Sequence, residues 1–388
     1  MKYPVEWLKK TDAEDALDFL NLVFSMAKTP HNFKKSLPKM WEGDLSGVER
    51  HLAIKKDGRI KALVGVYPLP TEVAGEKLLF ATMGNVASHP LENGRGYMSC
   101  LLEEAMKELD RMDVDGARLG GLRQRYNRYG YEPAGSQYQF TLTAHNLMRF
   151  YAEVPKEELT FEKMLPDDTE TLLWAKTLFE KEKVWVDRKG AETFYNSVTA
   201  WENVPYVCLK NGEKIGYLTG SADKKRINEV LAETAEDVLK ILRAWVDGNA
   251  LASVSLPVDP HKTELARALQ PICEGWSVSI PSHFYIRRWD RVMNAYMKLK
   301  SNMMPLMEGS AVIGIEGFGN VRLYKDETGA GACLTDENAS ITLKPDFAAR
   351  FLFGPLPPVC TAALPEECAA LLTSWLPLPL GWNTLDRV

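Results

Sequence analysis

Phe80-Ala-Thr-Met-Gly-Asn-Val-Ala-Ser-His-Pro-Leu-Glu-Asn-Gly-Arg-Gly-Tyr-Met-Ser-Cys-Leu-Leu102 passes from an apolar run, through a turn of small and polar residues, into a helical pattern. Beyond Gly96 the residues Met98, Leu101, Leu102, Ala105, Met106 and Leu109 repeat at the spacing of one buried helical face, with Glu103, Glu104, Lys107 and Glu108 opposite. Gly94-Arg95-Gly96 therefore stands at a helix N-terminus that follows a strand. The first turn of a helix has N–H groups without intrahelical partners and the positive end of the peptide dipole. Glycines, lacking Cβ, let a bulky anion come close to those groups, and Arg95 adds a charge beside them. A pyrophosphate fits this order of strand, Gly-x-Gly and helix, although Gly-x-Gly taken alone is more often an ordinary tight turn.

A second marker lies downstream in Tyr126-Asn-Arg-Tyr-Gly-Tyr131. The region from Val86 to Leu102 resembles the acetyl-coenzyme A loop of the Gcn5-related N-acetyltransferases (GNAT fold), Gln/Arg-x-x-Gly-x-Gly/Ala followed by a helix. Tyr126 to Tyr131 resembles that family's Tyr-x-x-x-Gly-Phe/Tyr segment. Leu91 departs from the pattern, since it stands at the Gln/Arg position. The resemblance implies acetyl-coenzyme A as co-substrate, with Asn93, Gly94, Arg95, Gly96, Tyr97 and Met98 around the pyrophosphate. It implies that Val86, Ala87 and Ser88 pair with the pantetheine arm and polarise the acetyl carbonyl through backbone N–H. Tyr126 becomes the acid that protonates the departing thiolate. Arg123, Arg125 and Arg128 cluster beside it, and one of them could meet a cofactor phosphate.

The composition sets the frame for this chemistry. At 388 residues the chain exceeds one ordinary core and is expected to form two or three domains. A hydrophobic fraction of 45% beside 26% charged residues is that of a soluble globular protein. The net charge of -5 offers no general attraction to nucleic acid or to anionic membranes. Six dispersed cysteines show no metal-ligand spacing, there is no signal-peptide pattern and no membrane-spanning run, so a reduced, cytoplasmic protein without a metal is expected. His31, His51, His145, His261 and His283 share no spacing that would assemble a triad, and His89 before Pro90 reads as a turn residue. No Gly-x-Ser-x-Gly, His-Glu-x-x-His or phosphate-binding Gly-x-x-x-x-Gly-Lys-Ser/Thr occurs, which leaves hydrolase and nucleotide triphosphatase chemistry unsupported.

Along the chain, Thr11-Asp-Ala-Glu14 reads as a capping box for a helix to Ala27, and a second short helix is expected over Asn32 to Trp41. The resemblance makes these helices the wall of the acceptor groove, with Phe24, Met26 and Trp41 as substrate contacts, although core packing explains each as well. Lys56-Asp-Gly58 between two apolar alternating runs predicts a hairpin, and Ser136 to Thr143 reads as the strand that closes the first domain. From Arg149 the order of helices, hairpin at Asn211-Gly212, helix and strand is echoed, now with Glu233, Glu236 and Asp237 at the helix start, which would repel a pyrophosphate. From Arg288 a helix, four short glycine-punctuated strands and two further helices form an α+β module.

Two GNAT-like halves followed by such a module resemble the enhanced-intracellular-survival (Eis) acetyltransferases, whose last module has the fold of sterol carrier protein 2. The expected architecture is thus tandem α/β GNAT folds over 1–148 and 149–287, the second degenerate, and an α+β domain over 288–388. In that family the chain's own terminal carboxylate serves as base, which here is Val388, with Asp386 as the alternative carboxylate. The expected function is acetyl transfer to a primary amine of a polyamine- or aminoglycoside-like molecule or of lysine, in a homo-oligomer. An acyl-coenzyme A sensor or lipid-carrier protein without turnover is the alternative.

Overall fold

In the computed structural model, residues 3–27 and 29–388 are described, and the chain divides into two compact units. The first comprises Met1–Gly135, Ser282–Leu380 and Arg387–Val388, the second Ser136–Pro281 and Gly381–Asp386.

The main sheet of the first unit runs β1 (Glu6–Trp7), β2 (His51–Lys56), β3 (Arg59–Val73), β4 (Glu76–Ser88), β5 (Gly116–Leu119), then the strand Ser282–Ile286, then β6 (Glu132–Ala134). The first four are antiparallel, β5 lies parallel to β4, and Ser282–Ile286 is antiparallel to both its neighbours. Asp57 and Gly58 close the β2–β3 hairpin at φ 53° and 73°, the left-handed pair that a tight two-residue turn requires.

Helices cover both faces of this sheet. On one, α4 (Tyr97–Arg111) buries Leu101, Leu102, Ala105 and Leu109 against Leu52, Ile54, Val64, Val66 and Ala81. On the other, α1 (Ala13–Ala27), α2 (Phe33–Ser36) and α3 (Pro38–Trp41) pack Ala16, Phe19, Phe33 and Trp41 against Ala53, Leu63, Tyr67 and Ala87. The single helix expected over Asn32 to Trp41 is in fact two, because Pro38 has no N–H and forces Leu37 before it out of the helical region, to φ -133° and ψ 62°. Asp12, rather than the Thr11/Glu14 pair, prepares the start of α1: its carboxylate accepts from the Lys9 N–H at 2.8 Å and pairs with Lys55.

The rest of the first unit holds the helix Trp289–Met303, a four-stranded sheet in the order Gly329–Thr335, Gly319–Asp326, Gly309–Ile315, Ile341–Leu343, and the helices Pro345–Phe353 and Ala369–Trp375.

In the second unit Ile227–Ala232, Glu213–Gly220, Val204–Lys210 and Leu159–Lys163 form an antiparallel sheet, its hairpin turning at Asn211 and Gly212 as the sequence predicts. The amphipathic helix Ala235–Gly248 starts at Thr234, whose hydroxyl accepts from the Asp237 N–H at 3.1 Å. A smaller sheet sets Gln137–Thr143 between Ser253–Val258 and Gly275–Ser279, antiparallel to both. This strand was expected to close the first sheet, and it belongs instead to the second unit. Its alternation of Tyr138, Phe140 and Leu142 specifies a strand with a buried face, while the choice of partner depends on packing across the fold.

Candidate active site

The β4–α4 connection is built for close approach. Pro90–Glu92 makes one 3-10 turn, in which His89 Nδ1 accepts from the Leu91 N–H at 3.2 Å, the turn role expected for that histidine. Leu91 is 85% exposed and its side chain offers nothing to an anion. Gly94 and Gly96 adopt φ 81° and 85°, where a side chain would be strained, and a Cβ at either would stand in open space. Among the described residues no acceptor engages the N–H groups of Gly96, Tyr97 or Met98. Three unpaired donors at the positive end of a 15-residue helix, with room left by two glycines, suit a pyrophosphate.

The arginines sort themselves by partner. Arg95 pairs with Glu92, so its charge is already balanced in place. Arg123 donates from Nε to the buried Glu132 at 2.9 Å. Arg128 alone turns toward the helix, its Nη2 donating to Ser99 Oγ in the first turn of α4 at 2.8 Å and to the Tyr129 hydroxyl at 2.9 Å. Among the described residues no carboxylate neutralises it, so its charge stands free beside the first turn of α4.

At the other end of the connection, β4 carries a bulge. Leu63 faces Ala87 and Gly65 faces Gly84, so Asn85 and Val86 together oppose Val64 alone. Asn85 takes φ 54°, a conformation that asparagine tolerates better than most residues. Ala87 is buried at this point, and Val86 and Ser88 are half-buried. Tyr126, at the end of α5 (Arg123–Tyr126), packs in the core on the α4 side. Its ring fills the space beside Gly121, where a Cβ would come within 2.6 Å. No protein group among the described residues takes its hydroxyl. Burial raises the pKa of this phenol, so the proton that an acid needs is in place at neutral pH.

The opposite face of the sheet holds a row set by register: His51 faces Gly65, and Gly65 faces Gly84. The Tyr67 ring covers Gly65, where a Cβ would lie 2.2 Å from the hydroxyl oxygen. The C-terminal residue covers Gly84, where a Cβ would lie 2.8 Å from the Val388 backbone oxygen and 2.6 Å from its Cγ2. Val388 packs against the aromatic and aliphatic cluster of α1 and α3, and no cation among the described residues pairs with its carboxylate. Asp386, the alternative carboxylate, is committed elsewhere: both its oxygens accept from Arg188, at 3.0 and 3.1 Å, within the second unit.

Between these groups, His51 Nδ1 lies 3.1 Å from the Val48 carbonyl, its Nε2 lies 2.7 Å from the Tyr67 hydroxyl, and the Asn85 amide nitrogen reaches both, at 2.9 and 3.1 Å. Of the expected acceptor-wall residues, Trp41 is buried with its ring 5.3 Å from that of His51, and Phe24 packs edge-on to Phe33 at 4.9 Å. Met26 is 65% exposed.

Comparison with known families now bears on this geometry: residues 5–134 match the model described as Acetyltransferase (GNAT) domain. These residues form a GNAT acetyltransferase domain. No curated protein matches the chain. Among solved structures, a GCN5-related N-acetyltransferase from Kribbella flavida is similar at 15% identity and TM-score 0.68, covering 99% of this chain and 100% of its own. Eis1 from Mycobacterium abscessus is similar at 13% identity and TM-score 0.67 over the same shares. A conserved protein from Enterococcus faecalis V583, described as a probable N-acyltransferase, reaches 15% and 0.64 over 88% of this chain and 87% of its own. At these identities the likeness is one of fold, the mixed α/β fold of acyl-coenzyme A-dependent N-acetyltransferases.

Within the GNAT domain, sequence reasoning missed His51, Tyr67 and Asn85. One signal for them was present: Gly84-Asn85 interrupts an otherwise apolar strand, and an isolated glycine there suggests a bulge or a close backbone approach. It also left Arg128 as one of three equivalent charges, since only the fold shows that Arg123 is committed to Glu132 while Arg128 reaches the first turn of α4.

Proposed function

We propose that the chain is an acetyl-coenzyme A-dependent N-acetyltransferase of the Eis type, which moves acetyl directly to a primary amine of a polyamine- or aminoglycoside-like molecule or of lysine. The observation that carries this reading is the seat of the C-terminal carboxylate over Gly84, beside the β4 bulge, with the Tyr126 hydroxyl presented on the α4 side. Acetyl-coenzyme A supplies the activated acetyl group when bound.

The residues then divide the work. The α4 N-terminus, with Gly94, Gly96 and Arg128, holds the pyrophosphate, and the opened edge at Val86, Ala87 and Ser88 accepts the pantetheine arm and polarises the carbonyl. The Val388 carboxylate takes one proton from the incoming ammonium. Tyr126 gives its proton to sulfur as the acetyl carbon passes to nitrogen, and the second proton shed by nitrogen restores the phenol through solvent.

The same reading keeps three parts, a GNAT domain, a degenerate second GNAT-like part and a last module like sterol carrier protein 2, with cytoplasmic location and homo-oligomerisation. Coenzyme A release from acetyl-coenzyme A across polyamines, aminoglycosides, arylamines and lysine peptides tests it. Turnover with one class, lost in Tyr126→Phe and on deletion of Val388 while the cofactor still binds, supports the assignment. Tight cofactor binding with no responding amine would replace it with a sensor or carrier.

A further inference from the structure

The His51 network has a fixed polarity, and the polarity leaves something over. A carbonyl can only accept, so the Val48 oxygen at 3.1 Å places the ring proton of His51 on Nδ1. The ring is fully buried and burial pushes its pKa down to about 4, so it is neutral and Nε2 is bare. The Tyr67 hydroxyl must then donate to Nε2 at 2.7 Å. With Nε2 taken by that bond, the Asn85 amide nitrogen donates to the Tyr67 oxygen at 2.9 Å, which sets the orientation of that amide.

Two acceptors remain. One is a lone pair on the Tyr67 oxygen, and the other is the Asn85 Oδ1, which is buried and receives no hydrogen bond from any of the described residues, in a residue only 5% exposed. An orphaned buried acceptor costs stability and calls for a donor from outside the chain. Both belong to residues on or beside the glycine row, and next to them along the row stands a third acceptor, the Val388 carboxylate over Gly84. Gly65 and Gly84, as cross-strand partners, stand about 5 Å apart at the Cβ position.

We propose that Tyr67 and Asn85, locked in place by His51, receive the N–H groups of the acceptor amine and thereby select primary over secondary amines. This rests on the acetyl-transfer reading above. A primary ammonium brings three N–H donors: one proton goes to the terminal carboxylate, and the other two satisfy the two neutral oxygens. An N-methylated amine brings two donors and leaves one of the oxygens orphaned, which is the kind of mismatch that sites built on hydrogen bonds reject strongly. The bulge supplies the geometry, since the left-handed conformation of Asn85 is what turns its side chain out of the ordinary strand alternation.

The test compares the best primary amine of the screening panel with its N-methyl derivative, in the full chain and in Tyr67→Phe and Asn85→Gly. Asn85→Gly keeps the positive φ while removing the carbonyl, so it stands in where Tyr67→Phe fails to fold. kcat/KM is read from coenzyme A release and the acetyl-coenzyme A Kd from calorimetry. The expected result is a preference for the primary amine of at least about ten-fold in the unmodified chain. Either variant should compress that ratio to within about three-fold, with the cofactor Kd unchanged. Equal loss toward both amines, with the ratio intact, would mean that the network only shapes the sheet and would overturn the proposal. An unmodified chain that binds acetyl-coenzyme A and turns over neither amine overturns the transfer reading itself.

Discussion

His51 is a base kept from its proton. Unfolded, it titrates at about 6.5, whereas burial lowers it to about 4 in the folded chain. Between those values the unfolded state binds more protons than the native state, so stability rises with pH and is lost on acidification from 6.5 to 4. A shift of that size corresponds to about 3 kcal/mol. Denaturant unfolding at pH 7 and pH 4.5 should therefore show a loss that His51→Gln largely abolishes; an equal loss in the variant would locate the acid sensitivity elsewhere. Gly84 tests the same neighbourhood by volume. In Gly84→Ala the new methyl meets the Val388 oxygen and side chain below 3.0 Å, so Val388 must shift. The expected outcome is a melting temperature within a few degrees of the parent, an unchanged acetyl-coenzyme A Kd, and a kcat reduced ten-fold or more. Unchanged kcat would show that the carboxylate does not act where it sits. In the sequence, only the interruption at Gly84-Asn85 and the resemblance that drew attention to Val388 pointed here, because a row of His51, Gly65 and Gly84 exists only once the strands are in register.

At the scale of elements, local chemistry proved legible and partnership did not. Asp57-Gly58 and Asn211-Gly212 announced their hairpins through residues that tolerate positive φ, and Pro345 stands at the first position of the helix Pro345–Phe353, where its missing N–H costs nothing. The strands Gln137–Thr143 and Ser282–Ile286 were different. Each pairs with segments distant in sequence, and period-two alternation gives the buried face of a strand while leaving its neighbours open. The bulge in β4 lies between these cases, since Gly84-Asn85 hinted at it and the pairing of Leu63 with Ala87 established it. Its conformation is testable apart from catalysis. A valine at position 85 is β-branched and ill-suited to φ 54°, so Asn85→Val should lose about 1–3 kcal/mol more than Asn85→Gly in urea unfolding. Equal losses would mean that the side-chain hydrogen bonds, and not the backbone geometry, hold the bulge.

At the scale of the whole molecule, the two units are not consecutive in the chain, and the last eight residues show this most sharply: Gly381–Asp386 belong to the second unit and Arg387–Val388 to the first. What fixes the former is one buried cation. Arg188 donates two bonds to Glu229 at 2.9 Å and two to Asp386 at 3.0 and 3.1 Å, with its guanidinium 3.9 Å from the Phe179 ring centroid. Tyr217 donates to the same Glu229 at 2.8 Å, and Asn383 does so from the tail itself. Two carboxylates share one guanidinium, so removing the cation leaves both buried and unpaired, a loss of about 3–5 kcal/mol on the scale of broken buried pairs. Arg188→Met should lose that much in denaturant unfolding of the full chain. Because the tail's own hold, Asp386, is released at the same time, amide exchange at Leu385 and Asp386 should accelerate well before global unfolding. Arg188→Lys keeps the charge but cannot form the bidentate fork, and should fall between the two. Slow exchange at Leu385 and Asp386 in Arg188→Met would show that apolar packing of Leu385, buried beside them, secures the tail without the ion pair.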